Sequence, residues 1–263
     1  MPPALIALLA LVILDVLYVF LCLDGGYSAR ETLANAFTMM VADGLRRLTF
    51  VWRLGIFSAL HALAPVQLPL TVGWVALCYV LIDLTYYCKH RFFLHGTGFG
   101  WSIHSAHHSS TEVNISTSAR TSWIQRVLGD FFFAPLVLLG FPPLAVMLLM
   151  ELNMFTLTWV HTRIRGRFGL LEYVLNTPSA HRVHHAVSRR VSSCNYGAHF
   201  LVWDRLLGTY TPEPDTELVY GIEEGPRGHN PFRIQFLGMW EYLRALARRE
   251  PQQLALPEAG RDR

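Results

Sequence analysis

From Leu68 to Cys88 the chain runs through twenty-one residues of which Asp83 alone is charged. At about 1.5 Å per residue such a helix spans the roughly 30 Å of a bilayer's hydrocarbon, where only helices and closed barrels satisfy every backbone polar group. Further apolar stretches lie at Ala4 to Leu23, Leu33 to Leu63, Val127 to Leu139 and Leu144 to Val160. The expected fold is therefore all-α, an integral-membrane helical bundle. Composition agrees: 52% hydrophobic and 16% charged residues, with a mean hydropathy of +0.30, do not suit a soluble globule. A net charge of +3 is too small for a nucleic-acid footprint.

The stretches differ in quality. Ala4 to Leu23 has no Lys or Arg ahead of it and carries Asp15 in its middle, so it reads as a retained helix and not as a cleaved signal. Leu33 to Leu63 is interrupted by Asp43, Arg46, Arg47 and Arg53; it either spans with those residues turned to other helices or lies partly in the interface. Gly140, Phe141, Pro142 and Pro143 form a turn between the last two stretches, which then make a helical hairpin. One membrane-embedded domain over 1–263 is expected: N-terminal membrane helices to about residue 88, a histidine-rich segment over 89–126, the hairpin over 127–161, and a cytoplasmic part over 162–263. Arg30, Lys89, Arg91, Arg120, Arg126, Arg163, Arg165 and Arg167 flank the stretches at ends that one arrangement brings together, and positive charge marks the cytoplasmic side. Phe232 to Arg249 alternates Ile234, Leu237, Trp240 and Leu243 with Arg244, Arg248 and Arg249, as a membrane-surface helix or an amphipathic helix packed on the cytoplasmic part would. The four cysteines imply no disulfide framework.

Twelve histidines carry the chemistry. Three boxes stand out: His90-x4-His95, His104-x2-His107-His108 and His181-x2-His184-His185. Positions i, i+3 and i+4 share one arc of an α-helix, so each triplet is a tripod of imidazoles. Two facing tripods offer a pair of metals most of the nitrogens they need, at about 2.0 to 2.1 Å. Asn176 or Thr177 caps the third helix, which opens at Pro178. His90 and His95 lie about 140° apart on an α-helix, so they converge only if the helix ends or bends between them, as Gly96, Gly98 and Gly100 allow. His161 is a ninth candidate ligand, while His61, His199 and His229 receive no role. Asp83, seven residues before His90, lies on the same helical face and either orients an imidazole or pairs with Arg53. Imidazole does not choose among iron, zinc, copper and nickel, but eight or nine histidines without a thiolate fit two metals better than one closed zinc site.

With the boxes in order, the sequence resembles the fatty acid hydroxylase and sterol desaturase superfamily of integral-membrane non-haem di-iron oxygenases. The resemblance runs from about Arg30 to Pro231. It rests on Asp83-Leu-Thr-Tyr-Tyr-Cys-Lys-His90-Arg, His104-Ser-Ala-His107-His108-Ser109, Asn176-Thr-Pro-Ser-Ala-His181-Arg-Val-His184-His185, Asn195-Tyr-Gly and Trp203-Asp-Arg-Leu-Leu-Gly-Thr209. It implies that His90, His95, His104, His107, His108, His181, His184 and His185 ligate two irons, joined by His161, with Asp83, Asn195 and Asp204 supporting them. The branch that cleaves ether lipids with a pterin usually has Glu directly after the second histidine of the first box; Gly96 stands there in this chain, a departure that speaks against that activity.

The implied activity is O2-dependent hydroxylation or desaturation of a fatty acyl, sterol or related lipid entering from the bilayer, past aromatics such as Phe131, Phe132, Phe133, Phe155 and Trp159 if these are not packing residues. Each cycle consumes two external electrons. Gly96-Thr-Gly98-Phe-Gly100 lacks dinucleotide-binding spacing, and no iron–sulfur or haem-attachment motif occurs. With no flavin or NAD site expected, a ferredoxin or a b-type cytochrome with its reductase must dock. Arg163, Arg165, Arg167, Arg189 and Arg190 form either its landing patch or topology charges. A zinc-dependent membrane hydrolase is the alternative, although no His-Glu-x-x-His supplies its base; a membrane metal transporter or sensor is a distant third.

Overall fold

The computed structural model describes residues 3–22, 27–166, 168–187, 193–223, 225 and 227–249. The first apolar stretch forms α1 (Pro3–Cys22). The second divides at Thr49 into α2 (Ala29–Leu48), capped by the Ser28 hydroxyl, and α3 (Phe50–His61). The charges of α2 have a place: Glu31, Asn35, Thr38 and Arg46 line one buried seam, while Leu33, Met40 and Leu48 face outward. Polar residues turned inward and apolar ones outward suit a helix whose surroundings are apolar. Asp15, midway along α1, is also buried; its carboxylate accepts from the Tyr27 hydroxyl and from the Arg163 backbone N–H at 2.7 Å.

Helix α4 (Val72–Cys88) passes without a break into a π-helical turn, Lys89–Leu94, and packs along α8 (Pro143–Val160). Val72–Leu94 and Pro143–Val160 are, among the described residues, the two helices long and apolar enough to cross a membrane. Ile82, Tyr86, Val146, Met150 and Leu157 belong to their shared core with α3 and α7, whereas Leu77, Val80, Leu144 and Leu148 stay exposed. So much apolar surface left outside is the mark of a face meant for lipid or a partner.

The expected hairpin has only one regular arm. Before Gly140 the chain forms α6 (Trp123–Leu128), a 3-10 turn (Gly129–Phe133) and α7 (Ala134–Leu138). Pro135 lacks the N–H that a continuing helix requires, so it sits in the first turn of a new one. Gly140 is obligatory at φ +100°, where an added Cβ would lie 2.3 Å from the Val66 carbonyl oxygen.

The remaining helices are α5 (Gly98–His108), α9 (Pro178–His184), α10 (Val202–Leu206) and α11 (Pro231–Arg248). Both readings of the last segment describe one of its faces: Ile234, Gln235, Gly238 and Ala245 are buried, with α11 lying on α5, and Phe232, Phe236, Trp240 and Leu243 are exposed. No β-strand occurs among the described residues, only isolated bridges at Leu175 with Phe200 and Ala186 with Tyr220.

Two charges expected to mark membrane sidedness are instead buried. Lys89 turns into the protein, and Arg120 is nearly inaccessible. Arg120 donates to the Ala106 carbonyl and the Ser109 hydroxyl, each at 3.1 Å, to Asn35 Oδ1 at 3.1 Å and to the Gly228 carbonyl at 3.3 Å. One guanidinium thus ties α5 to α2 and to the segment before α11. Its replacement by Met strands these buried acceptors, and Arg120→Met should destabilise the protein by roughly 3 kcal/mol, read as a lower unfolding temperature in detergent.

Candidate metal centre

The first box converges through the π-helical turn. An α-helix would leave His95 on another face, but the His95 backbone N–H bonds to the His90 carbonyl at 3.0 Å, the i to i+5 pattern. This wider turn carries His95 round to His90, and such turns recur at functional sites. The chain then reverses through Gly96, where a Cβ would lie 2.2 Å from the Phe92 carbonyl oxygen, into α5. Its N-cap is Thr97, whose hydroxyl accepts from Gly100 N–H at 2.9 Å. Helix α9 starts at Pro178 with Thr177 as its cap, and Asn176 instead donates to the Gly197 carbonyl at 2.7 Å.

The nine candidate ligands gather into two sets, each with its ligand nitrogens within 4.8 Å of one another: His90, His95, His104, His108 and His184 in the first, and His107, His161, His181 and His185 in the second. The triplets do not act as separate tripods. His104 and His108 serve the first set while His107 between them serves the second; His181 and His185 serve the second while His184 serves the first. Each helix gives two imidazoles to one position and one to the other.

The proton placement on these rings decides what lies between them. His90 Nδ1–H donates to the Tyr196 carbonyl at 2.8 Å, and His104 Nδ1–H to Gln125 Oε1 at 3.0 Å. Both Nε2 atoms are therefore bare lone pairs, yet they stand 3.0 Å apart. His161 Nδ1–H donates to the Leu157 carbonyl at 2.7 Å, leaving its Nε2 bare 3.1 Å from His107 Nε2 and 3.0 Å from His181 Nε2. Neutral lone pairs that close repel; a cation between them is the arrangement they fit, since nitrogens about 2.1 Å from one ion at right angles are about 3.0 Å apart. His95 Nε2 and His108 Nε2 are buried with no hydrogen-bond partner, as further donors to a metal would be. Burial, with His184 beside it, pushes His104 down to about 3, and burial pushes His161 down to about 4, so the rings are neutral and ready to bind metal at ordinary pH.

The supporting residues form one loop with two acidic posts. Asp204 accepts from the Tyr196 and Gly197 N–H groups, both at 2.8 Å, and from the Thr209 hydroxyl at 2.7 Å. It thereby fixes the carbonyl that receives His90. His184 is held next to it, donating to the Cys194 carbonyl at 2.8 Å. Asn195 sits at φ +52°, a conformation Asn tolerates better than most residues, and donates to the Ala180 and Thr211 carbonyls at 2.9 and 2.7 Å. Gly197 leaves no room for a Cβ, which would lie 2.2 Å from the Phe200 carbonyl oxygen. Asp83 makes none of its hydrogen bonds to a candidate ligand. It accepts from Asn153 Nδ2 at 2.9 Å, His199 N–H at 2.8 Å and Trp203 Nε1 at 2.8 Å, anchoring the far end of the same loop to α4 and α8. Arg53, the alternative partner of Asp83, pairs with Asp130.

Gln125 and the Cys194, Tyr196 and Leu157 carbonyls are supports that spacing did not single out. Only Tyr196 carried a signal, inside Asn195-Tyr-Gly. His61 bonds the Gly140 carbonyl at 3.1 Å and His199 packs on Tyr79, both away from the sets. Arg165 is exposed, whereas Arg167, Arg189 and Arg190 lie outside the described residues. A cavity of about 1590 Å³ opens onto His104, His107, His161 and His181, with Val12, Val16, Phe50, Leu152 and Phe155 among its walls. Of the aromatics considered for a passage, Phe155 lines it, while Phe131, Phe132, Phe133 and Trp159 pack in or against the core.

An all-helical scaffold with three histidine boxes meeting in two sets defines a histidine-box protein. The chain belongs to the fatty acid hydroxylase family, which residues 75–209, just over half its length, match. It is 33% identical over 171 residues to the alkylglycerol monooxygenase of Xenopus tropicalis, covering 65% of this chain and 38% of that protein. The human alkylglycerol monooxygenase is 36% identical over 155 residues (59% and 34%), and ornithine lipid hydroxylase OlsE of Rhizobium tropici is 30% identical over 144 residues (53% and 42%). The chain thus aligns with 34% to 42% of the length of these three relatives. No solved structure matches. Gly96 stands in a turn with no space for a side chain.

The depressed imidazoles give a pH signature. An unfolded histidine takes up a proton near pH 6.5, but His104 and His161 in the fold do so only near 3 and 4, so the unfolded chain binds more protons throughout that window. Chelator-treated protein should lose stability as pH falls from about 6.5 towards 4, seen as a falling unfolding temperature; a rise over this range would contradict neutral rings.

Proposed function

We propose that this chain is a membrane-embedded di-iron enzyme that oxidises an apolar lipid with O2, by hydroxylation or desaturation. The observation that carries it is the pair of bare Nε2 lone pairs of His90 and His104, held 3.0 Å apart, in one of two adjoining all-histidine clusters. His90, His95, His104, His108 and His184 would hold one iron, and His107, His161, His181 and His185 the other. Iron in such sites supplies activation of dioxygen for attack on C–H bonds that no side chain can oxidise.

The chain's own groups do the rest. The Tyr196, Cys194 and Leu157 carbonyls and Gln125 hold the Nδ1 protons, which fixes each ring's tautomer and aim. The cavity's apolar walls exclude water and take an alkyl chain past His104, His107, His161 and His181. Neither set contains a carboxylate, so a hydrolytic base at the metal has no candidate there. Asp83 is spent on the 199–203 segment, which argues against an ion relay through α4. Membership of the fatty acid hydroxylase family and relatives named for lipid oxidation support the choice of substrate class; an alkylglycerol or an amino-acid lipid is a reasonable first compound to try.

In the same proposal the 1–263 chain is one domain whose α4 and α8 cross the bilayer, with the histidines at the cytoplasmic mouth. Electrons come from a separate ferredoxin or b-type cytochrome with its reductase. Asp204, Asn195 and Asp83 act as supports.

Lipid profiles of cells with and without the gene should differ by one class gaining an oxygen or losing two hydrogens, and purified protein should hold two irons per chain. His107→Ala and His184→Ala, one from each set, should reduce product to background, and full activity in both would reject the proposal. Asp204→Asn, which turns an amide NH2 toward one of its two backbone donors, Tyr196 N–H or Gly197 N–H, should cost about 10- to 100-fold in iron affinity or activity.

A further inference from the structure

The cavity has a charged end that the proposed chemistry leaves unused. Arg46, Arg47, Arg53, Lys89 and Arg126 line it, with Asp43, Asp130 and Glu151. The carboxylates are already engaged: Asp130 with Arg46 at 3.2 Å and with Arg53, Glu151 with Arg46, and Asp43 with Arg126 at 3.4 Å. Arg47 is exposed; the other four cations against three anions leave one positive charge in excess. Lys89, the chain's one lysine, is 7% exposed and has no carboxylate within 4.0 Å among the described residues; its ammonium rests 4.8 Å from the Tyr86 ring centre and 5.1 Å from that of Phe133. Arg46 and Arg53, with side chains 8% and 5% exposed, each keep a buried Nε–H without an acceptor.

Buried cations without a counter-ion are costly, and unsatisfied guanidinium donors add to that cost. An anion delivered by the ligand relieves both, and guanidinium and ammonium groups together are the usual recognition set for carboxylate and phosphate. The same cavity is lined by these cations, by His104 and His107, and by Val12 and Val16. We propose that the Arg46, Arg53, Lys89 and Arg126 end binds the acidic group, carboxylate or phosphate, of an amphipathic lipid, whose alkyl chain then runs beneath the histidine sets. The site deepens the lipid-oxidation proposal and rests on it only for the fate of that chain.

Binding needs no turnover, so it is measured on the purified, chelator-treated full chain in neutral detergent. Three twelve-carbon probes, dodecanoate, dodecyl phosphate and dodecanol, are titrated against the unfolding temperature. One or both acidic probes should half-saturate at about a tenth of the dodecanol concentration, and the order of the two tells carboxylate from phosphate. Lys89→Met and Arg126→Gln should each shrink the preference to about threefold or less. Equal response to all three probes, or a preference undiminished in the variants, overturns the proposal. If Lys89→Met does not fold, Arg126→Gln, whose side chain is 21% exposed, decides alone. An intact acid preference in a protein that oxidises no lipid would strike the activity and leave this site standing.

Discussion

Everything around the centre serves one unfavourable act, the turning of neutral imidazole lone pairs toward one another inside the protein. His90 and His104 cannot share a proton, because each already gives its own to an oxygen behind it. The supports therefore face outward from the centre, where they hold protons on Nδ1. Remove a support and the ring is free to flip its tautomer, offer N–H to its neighbour and settle as an ordinary hydrogen-bonded pair. The Tyr196 carbonyl, and the Asp204 carboxylate that pins its peptide through Gly197 N–H, are thus as much part of the arrangement as the rings.

The same economy explains the polar residues buried on the apolar helices. Asp83 looks anomalous in an apolar helix, but it accepts from one side chain on α8 and from the loop that carries Tyr196. The long apolar helix is then a rigid post to which the loop is tied, and the loop in turn fixes rings on α9 and on the end of α4. Glu31, Asn35 and Arg46 on α2 are buried in the same way, and Arg120 joins α2 to the histidine-bearing α5.

What the sequence revealed depended on distance along the chain. Helix caps, the Pro178 start and the i, i+3, i+4 triplets are local, and local spacing described them. The sharing of each triplet between two positions was illegible, because one helix's tripod looks the same whether a partner approaches over its centre or along its side. The pairing of Arg53 with Asp130 and the burial of Lys89 and Arg120 were hidden for a related reason: a charge beside an apolar run has the same sequence whether it faces water or a cavity. Asn195-Tyr-Gly was visible as a pattern, but its reasons, a positive φ and a peptide pressed against Phe200, exist only in three dimensions.

The π-helical turn makes the winding of the backbone itself a component of the centre. Between His90 and His95 the backbone holds one residue more per hydrogen-bonded ring than an α-helix does, and the register of everything before it is fixed by Asp83 in the same continuous helix. Wound as an ordinary α-helix, the same five-residue interval would leave the second histidine about 140° from the first and off its arc, with every histidine still present in the sequence. Residue type and spacing do not tell a converging pair from a split one; the winding of the interval does.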